Sequence, residues 1–280
     1  MYYKWQKSYI PPTSMYYDIN YGNFDTALYA EIRREAFGED IGQNSWLTAE
    51  EQDRFLGWLD LSPGTSLLDV ACGSGGPALY IAAKTGTSVI GIDVHEQGIA
   101  TGNALAAQRA MSKVAEFRVV NAAQPLPFSD STFDAITCID AINHLPDRPR
   151  VIRDWVRLLK PSGRLLFTDP LIVQGPLTNA EIAVRSSGGF QLFVPAGYDD
   201  HVLVQCGLRV VVSEDVTHTT AEIADRRRAA RESRGQALRE LEGHQAFAAQ
   251  QEFLTFASRL ANEHRLSRFV FVAEKPCTRT

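Results

Sequence analysis

An aspartate, a glycine turn and a second aspartate make up the most chemically informative stretch of this 280-residue chain, LLDVACGSGGPALYIAAKTGTSVIGIDV at 67–94. Gly73-Ser74-Gly75-Gly76-Pro77-Ala78 fits the G-x-G-x-x-[GA] spacing of a nucleotide-binding turn, where missing side chains let backbone approach the ligand. Asp93 lies about twenty residues on, at the end of the next apolar run, where a carboxylate accepts hydrogen bonds from ribose hydroxyls. Asp69 narrows the choice of ligand. A carboxylate just before the turn repels a pyrophosphate but attracts an ammonium or sulfonium. No Gly-Lys-[Ser/Thr] follows the turn, which excludes a P-loop. The turn and Asp93 taken alone still admit a dinucleotide, and hence an NAD(P)-dependent oxidoreductase.

A second set of reactive side chains lies in TCIDAINHLPDRP, residues 137–149. Asp140 and His144 stand four apart, on one face if the segment is helical. An imidazole that titrates near neutrality suits a general base. The plainer readings are that Asp140 caps a helix and that His144 bonds the following loop. Asp169, ending LLFTD, is either a turn acid or a substrate contact. His218, His244 and His264 read as surface or lid residues. No histidine–carboxylate cluster has metal-ligand spacing.

These groups need a scaffold. Apolar runs at 66–71, 88–93, 116–121, 134–139 and 164–169 alternate with helical patterns such as 97–111 and 149–160. Such alternation predicts a parallel sheet with helices on both faces. Lys160-Pro161-Ser162-Gly163 supplies a stop and turn before the fifth strand. Residues 1–60 form an aromatic cap, with seven of the nine tyrosines before residue 30. A sixth strand is expected at 208–214 and a last one within SRFVFVAEK, 267–275. Between them about 45 residues are inserted; insertions of that length are usually functional or disordered, and the helix-forming composition of this one reads as a lid. The chain therefore divides into a cap (1–60), a core (61–216), a helical lid (217–265) and a final strand with tail (266–280). The basic run DRRRAARESR, 225–234, reads as a solvated helix face.

Four motifs in order, LLDVACGSGG, GIDV, LPFSDSTFDAI and LKPSGRLLFTD, resemble the class I S-adenosylmethionine-dependent methyltransferases over residues 59–169. The resemblance implies an α/β fold with a doubly wound, mostly parallel, seven-stranded Rossmann-like sheet. It implies S-adenosyl-L-methionine as cofactor and S-adenosyl-L-homocysteine as product. On that likeness Gly73 and Gly75 admit the methionine and ribose parts, and Asp69 lies near the methionine amino group. Asp93 accepts from the ribose, Val94 packs beside the adenine, and Ile139 borders the donor. Ala71 replaces the first glycine of the pattern. Ala122 stands where an acid often holds the adenine amino group, leaving Asn121, Gln124 or backbone around Ala123 as alternatives. Gln43 and Trp46 fall in the stretch that closes over the donor carboxylate in similar enzymes.

The segment after the fourth strand is similar to the small-molecule branch, enzymes that methylate phosphoethanolamine or glycine derivatives. That likeness makes Asp140 the residue that orients a cationic or hydroxyl-bearing acceptor, and His144 a general base or polarising partner. Tyr16, Tyr17 and Tyr21 either line the acceptor pocket, their rings caging a cation, or pack the cap against the sheet. Asp169, Phe190 and Phe193 complete the acceptor pocket. The implied reaction is in-line methyl transfer to nitrogen or oxygen of a small metabolite. Carbon methylation of a natural-product scaffold is the alternative.

Composition sets the outer bounds. Hydrophobic residues at 45% supply a packed core, and a net charge of -5 argues against a nucleic-acid groove. Cys72, Cys138, Cys206 and Cys277 form no CxxC pair, which fits a reducing cytosol without a disulfide framework. MYYKWQKSYIPP lacks the apolar centre of a signal peptide, and no apolar run is long enough to span a bilayer. The expectation is a cytoplasmic enzyme with a small-molecule acceptor and neither nucleic-acid nor membrane partners, a homodimer being left open.

Overall fold

A computed structural model describes residues 15–277. Strands β1 (Ser66–Val70), β2 (Ser88–Asp93), β3 (Ala115–Val119), β4 (Phe133–Cys138) and β5 (Leu159–Val173) run parallel. The two-residue β6 (Val194–Pro195) pairs with the far end of β5. β7 (Arg209–Asp215) and β8 (Leu266–Glu274) complete the sheet in the order β3-β2-β1-β4-β5-β8-β7. β8 is antiparallel to both of its neighbours. The main path thus has the seven strands expected, and β6 is an eighth that its two-residue length hides from any periodicity. The turn at 160–163 appears as an irregularity inside β5, where pairing jumps from Phe133–Leu159 to Ala135–Arg164.

Period-two alternation explains why both faces of the sheet are covered. Leu68 and Phe167 pack with Val151, Ile152 and Trp155 of α6 (Arg148–Leu158) and Leu203 of α8 (Tyr198–Gln205). Leu67 and Leu166 point the other way, onto Leu79 of α4 (Gly76–Thr85), Ile99 of α5 (Glu96–Gln108) and Phe55 of α3 (Ala49–Leu56). The parallel strands end together at one rim, where the turns after β1, β2 and β4 converge.

Three further groups of helices lie over that rim. α1 (Met15–Gly22) and α2 (Ala27–Phe37) precede the core, and α7 (Asn179–Arg185) follows β5. α9 (Thr217–Glu232), α10 (Gly235–Glu242) and α11 (His244–Asn262) are inserted between β7 and β8. The inserted helices bury residues of the N-terminal segment. Phe37 and Trp46 pack with Ile223 and Leu254, and Tyr29 and Ile32 pack with Ala230 and Phe247. The basic run departs from the solvated face read in the sequence. Arg226 and Arg228 are exposed, whereas Arg227 and Arg231 turn inward and are buried.

Candidate active site

The rim holds a cavity of about 220 Å³. Its floor is the turn after β1. Ala71 has φ 57°, Gly73 57° and Gly75 72°, so the chain is left-handed three times within five residues. For Ala71 that conformation costs roughly 1 kcal/mol, which a glycine would avoid. Asp69, Ala71 and Gly73 line the cavity, and Gly75 stands just outside it. Gly75 N-caps α4, and a Cβ there would lie 2.5 Å from the Phe117 ring.

Two carboxylates face the floor. Asp93 Oδ2 accepts the Gly73 N–H at 2.9 Å and Oδ1 accepts the His95 N–H at 2.9 Å. It therefore pins the glycine turn to the start of α5, and burial raises its pKa despite those bonds. Asp69 Oδ1 accepts from Thr137 Oγ1 at 2.8 Å, and no partner is recorded for Oδ2 among the described residues. Burial pushes Asp69 up to about 7. Val94, Ala122, Ala123 and Ile139 form apolar walls, and Asn121 lines the wall with its Oδ1 bonded to the Ala123 N–H.

Above this crevice sit His144, Leu145, Gly188, Gly189 and Phe190, with Tyr17 and Tyr21 of α1. The segment after β4 is not the helix that the Asp140–His144 spacing suggested. It makes a single 3-10 turn, Ile142–His144, and Asp140 precedes it at φ 52°. His144 Nδ1 lies 3.0 Å from the Phe190 carbonyl oxygen, and Nε2 lies 2.7 Å from the Tyr17 hydroxyl. A carbonyl only accepts, so Nδ1 carries the proton and Nε2 receives the Tyr17 O–H. Burial holds the His144 pKa below its ordinary value, and the Phe190 carbonyl offsets this in part. The imidazole is thus neutral, with its lone pair turned to Tyr17. Tyr17 also stacks on Tyr21 at 6.0 Å, and Tyr21 meets His95 at 4.5 Å. Tyr16 packs against Tyr17 and Phe253 and does not line the cavity.

Asp140 lines the cavity, but its carboxylate is fully engaged. Oδ1 accepts from Arg268 Nε and Thr168 Oγ1, each at 2.7 Å, and Oδ2 accepts the Trp46 N–H at 2.9 Å. Arg268 is buried and forks onto Glu51 at 2.7 and 2.9 Å. A carboxylate that accepts from three donors, one of them an arginine, is a weaker base than a free one. Asp140 ties the post-β4 turn to loop 41–46. Asp140 thus stands at the cavity as part of an ion-paired network with Arg268 and Glu51.

Four other expected contacts lie elsewhere. Asp169 is fully buried, 2.5 Å from Arg148 Nη1, and its Oδ1 accepts the Leu171 N–H at 2.8 Å. The same Arg148 bonds Asp199 at 2.6 Å, so Asp169 belongs to an internal ion triad. Phe193 packs on the Leu171, Leu260 and Leu266 cluster. Gln43 folds back on its own loop, accepting from the Ile41 N–H and donating to the Glu39 carbonyl. The Trp46 ring stacks on Phe253, and only its backbone reaches the Asp140 network. The residues between those two, Asn44 and Ser45, line the cavity together with Gly42, which the sequence reading missed by one position. Arg268 was missed as well, although an arginine inside the apolar run FVFVA and its flank signals a buried pair. His218, His244 and His264 are exposed, away from the cavity.

Residues 68–167 match the profile of a methyltransferase domain. Across 264 residues the chain is 30% identical to 27-O-demethylrifamycin SV methyltransferase of Amycolatopsis mediterranei (strain S699), covering 89% of this chain and 94% of that one. The chain belongs to the S-adenosylmethionine-dependent methyltransferases. The methyltransferase is also 32% identical over 198 residues to phosphoethanolamine N-methyltransferase 3 of Arabidopsis thaliana, covering 68% of this chain but only 38% of that relative. Its fold matches phosphoethanolamine N-methyltransferase 2 of Haemonchus contortus with TM-score 0.79 and 19% identity, over 94% of this chain and 60% of that one. Its cofactor is S-adenosylmethionine, and the NAD(P) alternative falls away. The site fits that group, since a carboxylate-flanked, apolar-walled crevice over a left-handed turn suits a cationic, adenosine-bearing ligand.

Proposed function

We propose that the methyltransferase acts on a hydroxyl oxygen of a bulky, largely apolar small molecule, with His144 as general base. The observation that carries this reading is the His144 tautomer, whose Nε2 lone pair faces Tyr17 because Nδ1–H is committed to the Phe190 carbonyl. An oxygen acceptor must lose a proton as it is methylated, and a neutral buried imidazole can take it. Asp140 at the acceptor end is already paired with Arg268, which weakens its pull on a cationic substrate. The relative aligned almost end to end is named for an O-methyl transfer.

Bound S-adenosylmethionine supplies an activated methyl group on a sulfonium. Tyr17 holds the place at Nε2 that the acceptor hydroxyl takes. His144 Nε2 would take up the acceptor hydroxyl proton as that oxygen is methylated. Asp93 would receive the ribose hydroxyls, the Asp69 carboxylate would face the donor ammonium, and Val94, Ala122 and Ala123 would enclose the adenine. Tyr21, lying over Gly73, and Phe190 exclude water.

Asp69 gives donor binding a pH dependence. Burial pushes its pKa up to about 7, so the donor-free fold holds a proton there below that pH. That contribution to stability is present in acid and is lost as pH rises towards about 7. Only the ionised form attracts an ammonium. Calorimetry with S-adenosylhomocysteine is expected to show affinity falling by up to about tenfold per pH unit below neutrality and level above about pH 8. Asp69→Asn is expected to flatten the profile.

Isotope-labelled donor tests the acceptor. Label is expected in an ether when a hydroxyl-bearing acceptor such as 27-O-demethylrifamycin SV is offered. Phosphoethanolamine and glycine are expected to remain unlabelled. Transfer to those amines alone, or to carbon, would reject the oxygen reading.

A further inference from the structure

A second, smaller cavity of about 20 Å³ lies behind loop 41–46. By volume it holds one or two water-sized occupants. Arg33 of α2 and Arg227 and Arg231 of α9 converge on it, together with Asn20, Gln43 and Asn44. Three guanidinium groups around so small a space repel one another unless anions balance them. Two are balanced. Arg33 Nε bonds both oxygens of Asp40 at 3.0 and 3.1 Å, and Arg231 forks onto Glu242 at 2.7 and 3.1 Å. Arg227 is only 8% exposed, and among the described residues no ion pair or hydrogen bond to its side chain is recorded. It is flanked by Phe37 at 6.0 Å and Trp46 at 5.9 Å. Arg231, four residues on and therefore on the same face of α9, leaves its buried Nε without a partner. A buried cation with no counter-charge is costly. Here Arg227 lines a void together with Arg231, whose Nε is an orphaned donor.

We propose that this cavity is a binding site for a small monovalent anion of halide size, held by Arg227 and Arg231. The ion balances the one unpaired charge and fastens α9 to α2. The other acids lining or flanking the space, Asp40 and Glu242, are already spent on Arg33 and on Arg231 and Tyr29. The two inward arginines of the basic run 225–234 thereby acquire a role that a solvated face does not have.

Thermal unfolding of the 280-residue chain at constant ionic strength tests this directly. Replacing gluconate by chloride or bromide is expected to raise Tm by about 2–4 °C at tenfold excess over the dissociation constant. Phosphate, too large for the space, is expected to give no rise. Arg227→Met leaves no partner orphaned, so it is expected to fold, to melt no lower than the parent in gluconate, and to lose the halide response. Crystals soaked in bromide are expected to show an anomalous peak between Arg227 and Arg231. Identical Tm in gluconate and chloride, a halide response surviving in Arg227→Met, or a cavity filled by water alone overturns the proposal.

Discussion

His144→Ala is expected to lower turnover by about 10²- to 10⁴-fold, the usual range for loss of a positioned general base, while S-adenosylhomocysteine binds as before. The separation follows from position. His144 contacts Phe190 and Tyr17 above the crevice, whereas the turn and carboxylates beneath it are held by Asp93 and Thr137. The native rate is expected to be flat above neutrality and to fall in acid, because burial places the His144 pKa below its ordinary value. Tyr17→Phe keeps the base and removes only the hydroxyl, so its loss is expected to be smaller. Single-turnover kinetics with saturating donor measures both. An undiminished rate in His144→Ala would end its assignment as base.

The second large effect belongs to Asp93. Asp93→Ala is expected to weaken S-adenosylhomocysteine binding by about 10²-fold or more, since each charge-assisted bond contributes about 1.5–3 kcal/mol. Asp93→Asn is expected to be nearly as damaging. In the native protein each carboxylate oxygen accepts a different backbone N–H, from Gly73 and from His95. An amide accepts on one side only and turns its own N–H groups towards the other donor. The link between the glycine turn and the start of α5 is then broken on one side. Calorimetry gives the affinity, and thermal unfolding shows whether the turn or the whole fold has moved. Near-native affinity in both variants would remove Asp93 from the donor site.

Which residues could be read in advance follows from how far apart their partners lie. Asp69 and Asp93 were legible because each ends an apolar run beside a glycine turn, and strand, turn and helix lie within about thirty residues. The β1–β5 order was legible for the same reason. The upper half of the site joins residues remote in the chain. Tyr17 and His144 are 127 residues apart, Asp140 and Arg268 are 128 apart, and Glu51 and Arg268 are 217 apart. No local period records such pairings. Asp140 thus looked free in the sequence, although it is held by an arginine on the last strand. For Asp169 the turn-acid alternative agrees with its bond to the Leu171 N–H, whereas its partner Arg148 lies in another element and could not be read. At Gln43 and Trp46 the segment was right and the side chains facing the cavity were not, because an irregular loop has no fixed alternation.

Because β8 fills an interior slot between β5 and β7, nearly one hundred residues after β5 ends, the nascent polypeptide has an exposure problem. Until positions 266–274 leave the ribosome, two open strand margins face the crowded cell with their amides unsatisfied. Synthesis of the intervening helices takes several seconds at ordinary translation rates, about 5–20 residues per second. During that interval the partial sheet is an aggregation template, and a chaperone that shields such margins should govern the yield.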